Sequence, residues 1–156
     1  MEINIISITN KRPSWLEEAF NDYLSRFDSS MTVNFLSLKP LKKSKKINTH
    51  TLVEKEGKRI IKLLKTSDPT ISLDRKGESW DTLKLKSELD ECYAYSKTLN
   101  FLIGGTFGLS ENCLKKSKFI FSLSKLTLPH SFVPLILIEQ LYRAWSIGRK
   151  HPYHKQ

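Results

Sequence analysis

The sequence predicts an α/β fold with a mostly parallel sheet flanked by helices, on two observations. Short, β-branched apolar runs alternate along the whole chain with stretches of helical apolar period. The 156 residues, 39% hydrophobic and 27% charged, also match the size of one domain that buries a core without disulfides or metal. A single domain spanning residues 1–156 is expected, with neither repeat nor linker.

The elements follow in order. INIISI at 3–8 has the composition of a buried strand. Ser14 and Glu17 stand at capping-box spacing, and Leu16, Ala19, Phe20, Tyr23, Leu24 and Phe27 share one helical face, which is expected to be core. TVNFLSL at 32–38 is apolar on both sides and reads as an interior strand. KPLKKSKKINTH at 39–50 holds five lysines and no acid, and reads as a basic loop. Thr51 and Glu54 are then expected to cap a helix that turns Val53, Ile60, Ile61 and Leu64 inward. TISLD at 70–74 is a short strand, and Asp81 is the N-cap of a helix with Leu85, Leu89 and Cys92 on its core face. FLIGG at 101–105 runs from strand into a glycine turn. A short polar segment separates it from the last strand, FIFSLS at 119–124. A final helix covers about Phe132 to Ile147, with Pro134 in its first turn, where the missing N–H has no partner to lose.

Charge points to a partner. The net charge of +10 and a pI near 9.6 suit a polyanion, because cations that neutralise phosphates release condensed counterions. Cys92 and Cys113 are too few for a disulfide framework and stand in no metal-binding spacing, which fits a reducing cytoplasm. No run approaches the roughly 20 apolar residues of a membrane span, and MEINIISITN lacks the charged and apolar regions of a cleavable signal. His151 and His154 have no Cys or carboxylate cluster to complete a ligand set, so no metal is expected.

In a parallel sheet, ligands bind beyond the carboxyl ends of the strands. Three segments are expected there: Leu73 to Gly77, Ile103 to Leu109, and Ser122 to His130. Gly104, Gly105 and Gly108 allow positive φ and close backbone approach, which serves tight turning and cofactor contact equally. The spacing is not that of a dinucleotide fingerprint, and no Walker loop occurs. LSKLTLPH is suited to wrapping an adenine with backbone groups, or to simple connection.

LDRKG with WDT at 80–82, FLIGG and GL at 101–109, SLSKLTLPH at 122–130, EQLYRAWSI at 139–147 and HPYH at 151–154 together resemble the ribosomal RNA large subunit methyltransferase H family, over nearly the whole chain. The resemblance implies a homodimeric SPOUT protein with a trefoil knot in its C-terminal half, which binds S-adenosylmethionine and methylates N3 of a pseudouridine in 23S ribosomal RNA. The implied partner is large-subunit ribosomal RNA in the assembled ribosome, with neither membrane nor metal. Carried over by motif, the implied cofactor contacts are Leu73, Gly105, Leu123, Ser124, Lys125, Leu126, Thr127 and Leu128. Two positions depart from the family pattern: Phe107 replaces a commonly acidic residue, and Pro134 a common Arg.

A sulfonium is already an activated methyl donor, so the protein must mainly align it with the attacking nitrogen and help remove that nitrogen's proton. His130, Tyr153 and His154 are candidate bases, the tail pair ranking above His130. Arg143 carries a permanent charge, suited to holding a phosphate or favouring proton loss; its structural alternative is an ion pair with Glu139, four residues earlier. Arg143, Tyr153 and His154 are therefore the expected catalytic set, with the tail serving across the dimer, while Trp145 is expected in the core. A bulky residue at Gly105 is expected to fill ligand space while the fold stays intact. Two other readings use the same residues: a non-catalytic ribosome-binding module, and a SPOUT methyltransferase acting on transfer RNA. Cofactor binding separates the first and substrate exchange the second.

Overall fold

The computed structural model describes residues 1–155. Five strands, β1 (Glu2–Ile8), β2 (Thr32–Leu38), β3 (Thr70–Ser79), β4 (Thr98–Ile103) and β5 (Phe119–Ser122), form one sheet in the order β2-β1-β4-β3-β5. Every neighbouring pair is parallel. Helices α1 (Ser14–Ser25), α2 (Thr49–Ile61), α3 (Thr82–Tyr95), α4 (Glu111–Lys116) and α5 (Val133–Gly148) cover both faces.

Strand alternation sorts the core into two layers. Ile3 and Ile5 of β1 join Phe20, Leu85, Leu89 and Leu137 beneath α1, α3 and α5. Ile6 and Ile8 face the other way, toward Ile60 of α2 and Cys113 of α4. Both faces of the central strands β1 and β4 are thus buried, and this explains their nearly continuous apolar runs. It also corrects the placement of β2: the strand is apolar on both sides because helices cover both faces, yet it lies at the sheet edge.

Other differences are local. Ser14 is no cap: Pro13 takes the N-cap position without a side-chain bond. Glu17 instead pairs with Arg12, whose guanidinium carbon lies 4.2 Å from the ring centroids of both Phe20 and Phe35. Thr51 and Glu54 do not cap α2, because Asn48 does, its side chain accepting from Thr51 N at 2.8 Å. Asp81 caps α3 as expected, accepting from Lys84 N at 2.7 Å. Trp80 beside it stacks on Phe121 at 4.6 Å. The polar segment before β5 contains α4, capped by Ser110 through Cys113 N.

Strand β3 extends five residues beyond the expected Asp74, through a β-bulge. Leu73 and Glu78 both pair with Phe121, so the residues between them leave the ladder and project from the sheet. Gly77 makes this possible: a Cβ there would lie 2.7 Å from the Ile120 carbonyl oxygen.

Asparagines lock the register across three strands. Asn34 Nδ2 donates to Asn4 Oδ1 at 3.0 Å, and Asn4 Nδ2 donates to Asn100 Oδ1 at 3.1 Å. Asn100 is buried, and its own Nδ2 has no partner. Asn4→Ala is expected to lower stability by about 1–3 kcal/mol, seen as a lower urea midpoint at constant slope, because it strips a buried amide of its remaining bond. Asn34→Ala at the edge should cost less; equal losses would show that burial of Asn100 does not set the cost.

Candidate active site

Adjacent strands β4, β3 and β5 end around one cleft of 860 Å³. Its wall comprises the β3 bulge, the glycine turn after β4 and the segment between β5 and α5. These are the three segments expected from the sequence. A pocket of this size lies in the range of roughly 300–1,000 Å³ typical of small-molecule sites.

Seven of the eight residues assigned to cofactor contact line the cleft: Leu73, Gly105, Leu123, Ser124, Leu126, Thr127 and Leu128. Lys125 does not, and its side chain is exposed. The loop holds its shape through Ser124, whose Oγ accepts from Leu126 N at 2.9 Å and whose carbonyl accepts from Ser122 Oγ at 3.0 Å. Arg75 of the bulge reaches across and donates to Thr127 Oγ1 at 2.7 Å. Sequence reasoning missed this cross-cleft bond because its partners stand 52 residues apart.

The glycines divide the work differently than expected. Only Gly108 has positive φ, at 85°. Gly108 N donates to Gly105 O at 3.0 Å and closes the turn. A Cβ on Gly104 would lie 2.4 Å from Gly108 C, while one on Gly105 would lie 3.0 Å from Ile8 Cγ2 and 3.1 Å from Glu56 Oε2. A side chain at Gly105 therefore points into the protein, not into ligand space, which corrects the sequence expectation.

His130 lines the cleft, and its Nε2 donates to the Ile8 carbonyl at 2.8 Å; a carbonyl only accepts, so that nitrogen carries the proton. Arg143, Tyr153 and His154 are not in this wall. Arg143 and Tyr153 meet instead around Glu139 of α5. Arg143 Nε donates to Glu139 Oε1 at 3.0 Å, and Tyr153 OH donates to the same oxygen at 3.1 Å. Gln140 Nε2 donates to Glu139 Oε2 at 2.6 Å. The Arg143 guanidinium carbon sits 4.8 Å from the Tyr153 ring centroid, and Tyr23 OH shares a 3.0 Å bond with Tyr153 OH. The ion pair weighed as the structural alternative for Arg143 is thus formed. Tyr23, read as core alone, joins the polar cluster. Trp145 is half-buried and packed against the core, as expected.

This setting fixes protonation. Burial, the bond with Tyr23 and the charge of Glu139 all push the Tyr153 phenol well above its ordinary range, so near neutrality it is a hydrogen donor and not a base. The bond to Glu139 raises the pKa of Arg143, which stays cationic. Among the described residues, the buried His154 Nδ1 has no hydrogen-bond partner. Lys150, where the tail leaves α5, has φ of 55°, a conformation that glycine adopts at less cost. Among the described residues, no cluster of three or more His, Cys, Asp or Glu is placed to hold a metal, and no helix is long and apolar enough to cross a membrane.

A parallel α/β sheet whose crevice is built from a strand bulge and two strand-end loops is the framework of a known enzyme class. Residues 1–154 match the family described as "Predicted SPOUT methyltransferase", and the chain belongs to that family. Its full-length relatives narrow the likeness to proteins named "Ribosomal RNA large subunit methyltransferase H". The relative from Saccharophagus degradans is 37% identical over 155 residues, covering 99% of this chain and 100% of its own. That from Coxiella burnetii is 35% identical with the same coverage. A solved structure, a probable methylase family protein from Haemophilus influenzae, aligns with a TM-score of 0.57 at 12% identity, covering 99% of this chain and 70% of its own; it supports the fold alone.

Proposed function

We propose that this protein transfers a methyl group from S-adenosylmethionine to N3 of a pseudouridine in 23S ribosomal RNA, acting as a homodimer on the large subunit of the assembled ribosome in the cytoplasm. The observation that carries this reading is the cleft, where three motif segments far apart in sequence converge at the ends of adjacent strands. The full-length relatives named for ribosomal RNA methylation support the substrate.

The cleft suits the cofactor chemically. Leu73, Ile103, Leu123 and Leu128 offer apolar surface for a purine, and the backbone of the glycine turn and the Ser124 loop offers donors and acceptors for its edges. When bound, the sulfonium supplies an electrophilic methyl group. This chain's residues then bind and orient. Leu73, Gly105, Leu123, Ser124, Leu126, Thr127 and Leu128 would hold the cofactor, with Lys125 in the same loop keeping its side chain outside the cleft. Arg143 offers a fixed positive charge to the RNA, and Tyr153 OH donates a hydrogen bond. In this reading His154 Nδ1, buried and unpaired among the described residues, gains its partner when the tail moves to the other subunit's cleft, and there it takes the N3 proton. The trefoil knot implied by the family belongs to the same reading, with the segment between β5 and α5 threaded beside the β3 bulge.

Labelled methyl transfer to ribosomes lacking the modification, with mass mapping of the product, tests the function. Heat of S-adenosylmethionine binding in the presence of chelator is expected; none at millimolar ligand would remove the enzyme reading. Ribosome affinity should fall with salt, and fall less steeply once Lys39, Lys42, Lys43, Lys45 and Lys46 are neutralised, because fewer counterions are released. An unchanged slope would place this loop away from RNA.

A further inference from the structure

Phe107 is 44% exposed at the mouth of the cleft. One exposed apolar ring is ordinary on a protein surface, so exposure alone carries nothing. Three features set this ring apart. Its backbone is fixed at the tip of the turn that Gly108 N and Gly105 O close. Phe107 lines the cleft without belonging to the residues proposed to hold the cofactor. Lys43 Nζ lies 5.1 Å from its centroid, brought there by the basic loop.

That loop is itself anchored. Leu41 N donates to Oε1 of the buried Glu56 at 2.9 Å, and Arg59 Nη1 donates to the Lys39 carbonyl at 2.7 Å. Glu56 Oε2 also lies against Gly105, so a single carboxylate positions the basic loop and backs the glycine turn. The lysine and the ring are thus brought together by two separately held segments.

A flat ring with an ammonium over one face, on a chain of net charge +10, suits an unpaired RNA segment: a base stacks on the other face and a phosphate meets the cation. Duplex RNA buries its base faces and cannot use such a platform. We infer that Phe107 is a stacking platform for an unpaired base beside the target nucleotide, with Lys43 holding an adjacent phosphate. The inference rests on the ribosomal RNA reading above and makes Phe107 a positioning residue.

The test is steady-state methyl transfer to unmodified ribosomes, with S-adenosylmethionine calorimetry and sedimentation on the same variants. Phe107→Ala should raise KM for ribosomes about tenfold while kcat stays within about twofold, and Phe107→Trp and Phe107→Tyr should retain the wild-type KM. Cofactor affinity and association state should not change. An unchanged KM in Phe107→Ala overturns the inference. So does a change in sedimentation or cofactor affinity, which would assign the ring to a subunit interface or to the cofactor wall. If the wild-type protein transfers no methyl group to ribosomes, the proposed function fails first. Stacking is then read separately, by anisotropy of a labelled single-stranded RNA oligonucleotide, where equal affinity of wild type and Phe107→Ala overturns it.

Discussion

Deleting residues 151–156 is expected to reduce methyl transfer by roughly 10²–10⁴-fold, the range a lost proton-transfer group commands, while cofactor binding stays near wild type. Residues 151–155 lie outside the cleft wall of their own chain, so their removal leaves that wall intact. His151, Pro152 and Lys155 are exposed, and the main loss in stability comes from Tyr153, which packs edge-on to Tyr142 at 4.8 Å. Mixed dimers then separate service within a chain from service across the interface. Arg143 and Tyr153 of one chain share Glu139, so a tail-deleted subunit paired with an Arg143→Ala subunit leaves a defect in both sets and should stay inactive. A tail-deleted subunit paired with one whose cleft is destroyed should regain one working site, because the intact tail meets the intact cleft across the twofold axis. No recovery would place each tail at its own cleft. Full activity of the tail-deleted homodimer would refute a catalytic tail.

What was legible in the sequence follows from the range over which each signal acts. Strands β1 and β4 announce themselves because burial on both faces favours apolar residues at successive positions, as at Ile5–Ile6 and Phe101–Ile103, and Asp81 because a cap acts over three residues. Helix α4 left no period to read: it is six residues long and buries only Cys113. The continuation of β3 through DRKGES was hidden because a bulge interrupts the alternation, and its necessity lies in the backbone of Ile120, a neighbour known only from the fold. The strand-end motifs located the cleft, since each is a contiguous stretch that follows an apolar strand run: LDRKG, IGGTFGL and SLSKLTLPH. The Glu139 cluster was only half visible. Its pairing with Arg143 is one helical turn away, but Tyr23 lies 130 residues from Tyr153 and meets it only through the packing of α1 on α5.

Gly104→Val is expected to weaken S-adenosylmethionine binding at least roughly a hundredfold, about 2.7 kcal/mol. A Cβ at this position would lie 2.4 Å from Gly108 C and 2.6 Å from both Gly108 O and Leu109 N. All three are backbone atoms, so no side chain can swing aside and the turn must open. That turn forms one wall of the cleft, and its opening displaces the surface proposed to hold the cofactor. Overpacking of this kind costs about 1–3 kcal/mol, so the variant should remain folded with a lower urea midpoint. Gly105→Ala is the paired control. Its Cβ would meet the ends of the Ile8 and Glu56 side chains, which can yield by a few tenths of an ångström, and binding should change by less than about tenfold. Both variants are compared by calorimetry after sedimentation and near-ultraviolet dichroism confirm the fold. A folded Gly104→Val protein that binds the cofactor with wild-type affinity would show that the cleft beyond β4, β3 and β5 is not the cofactor site.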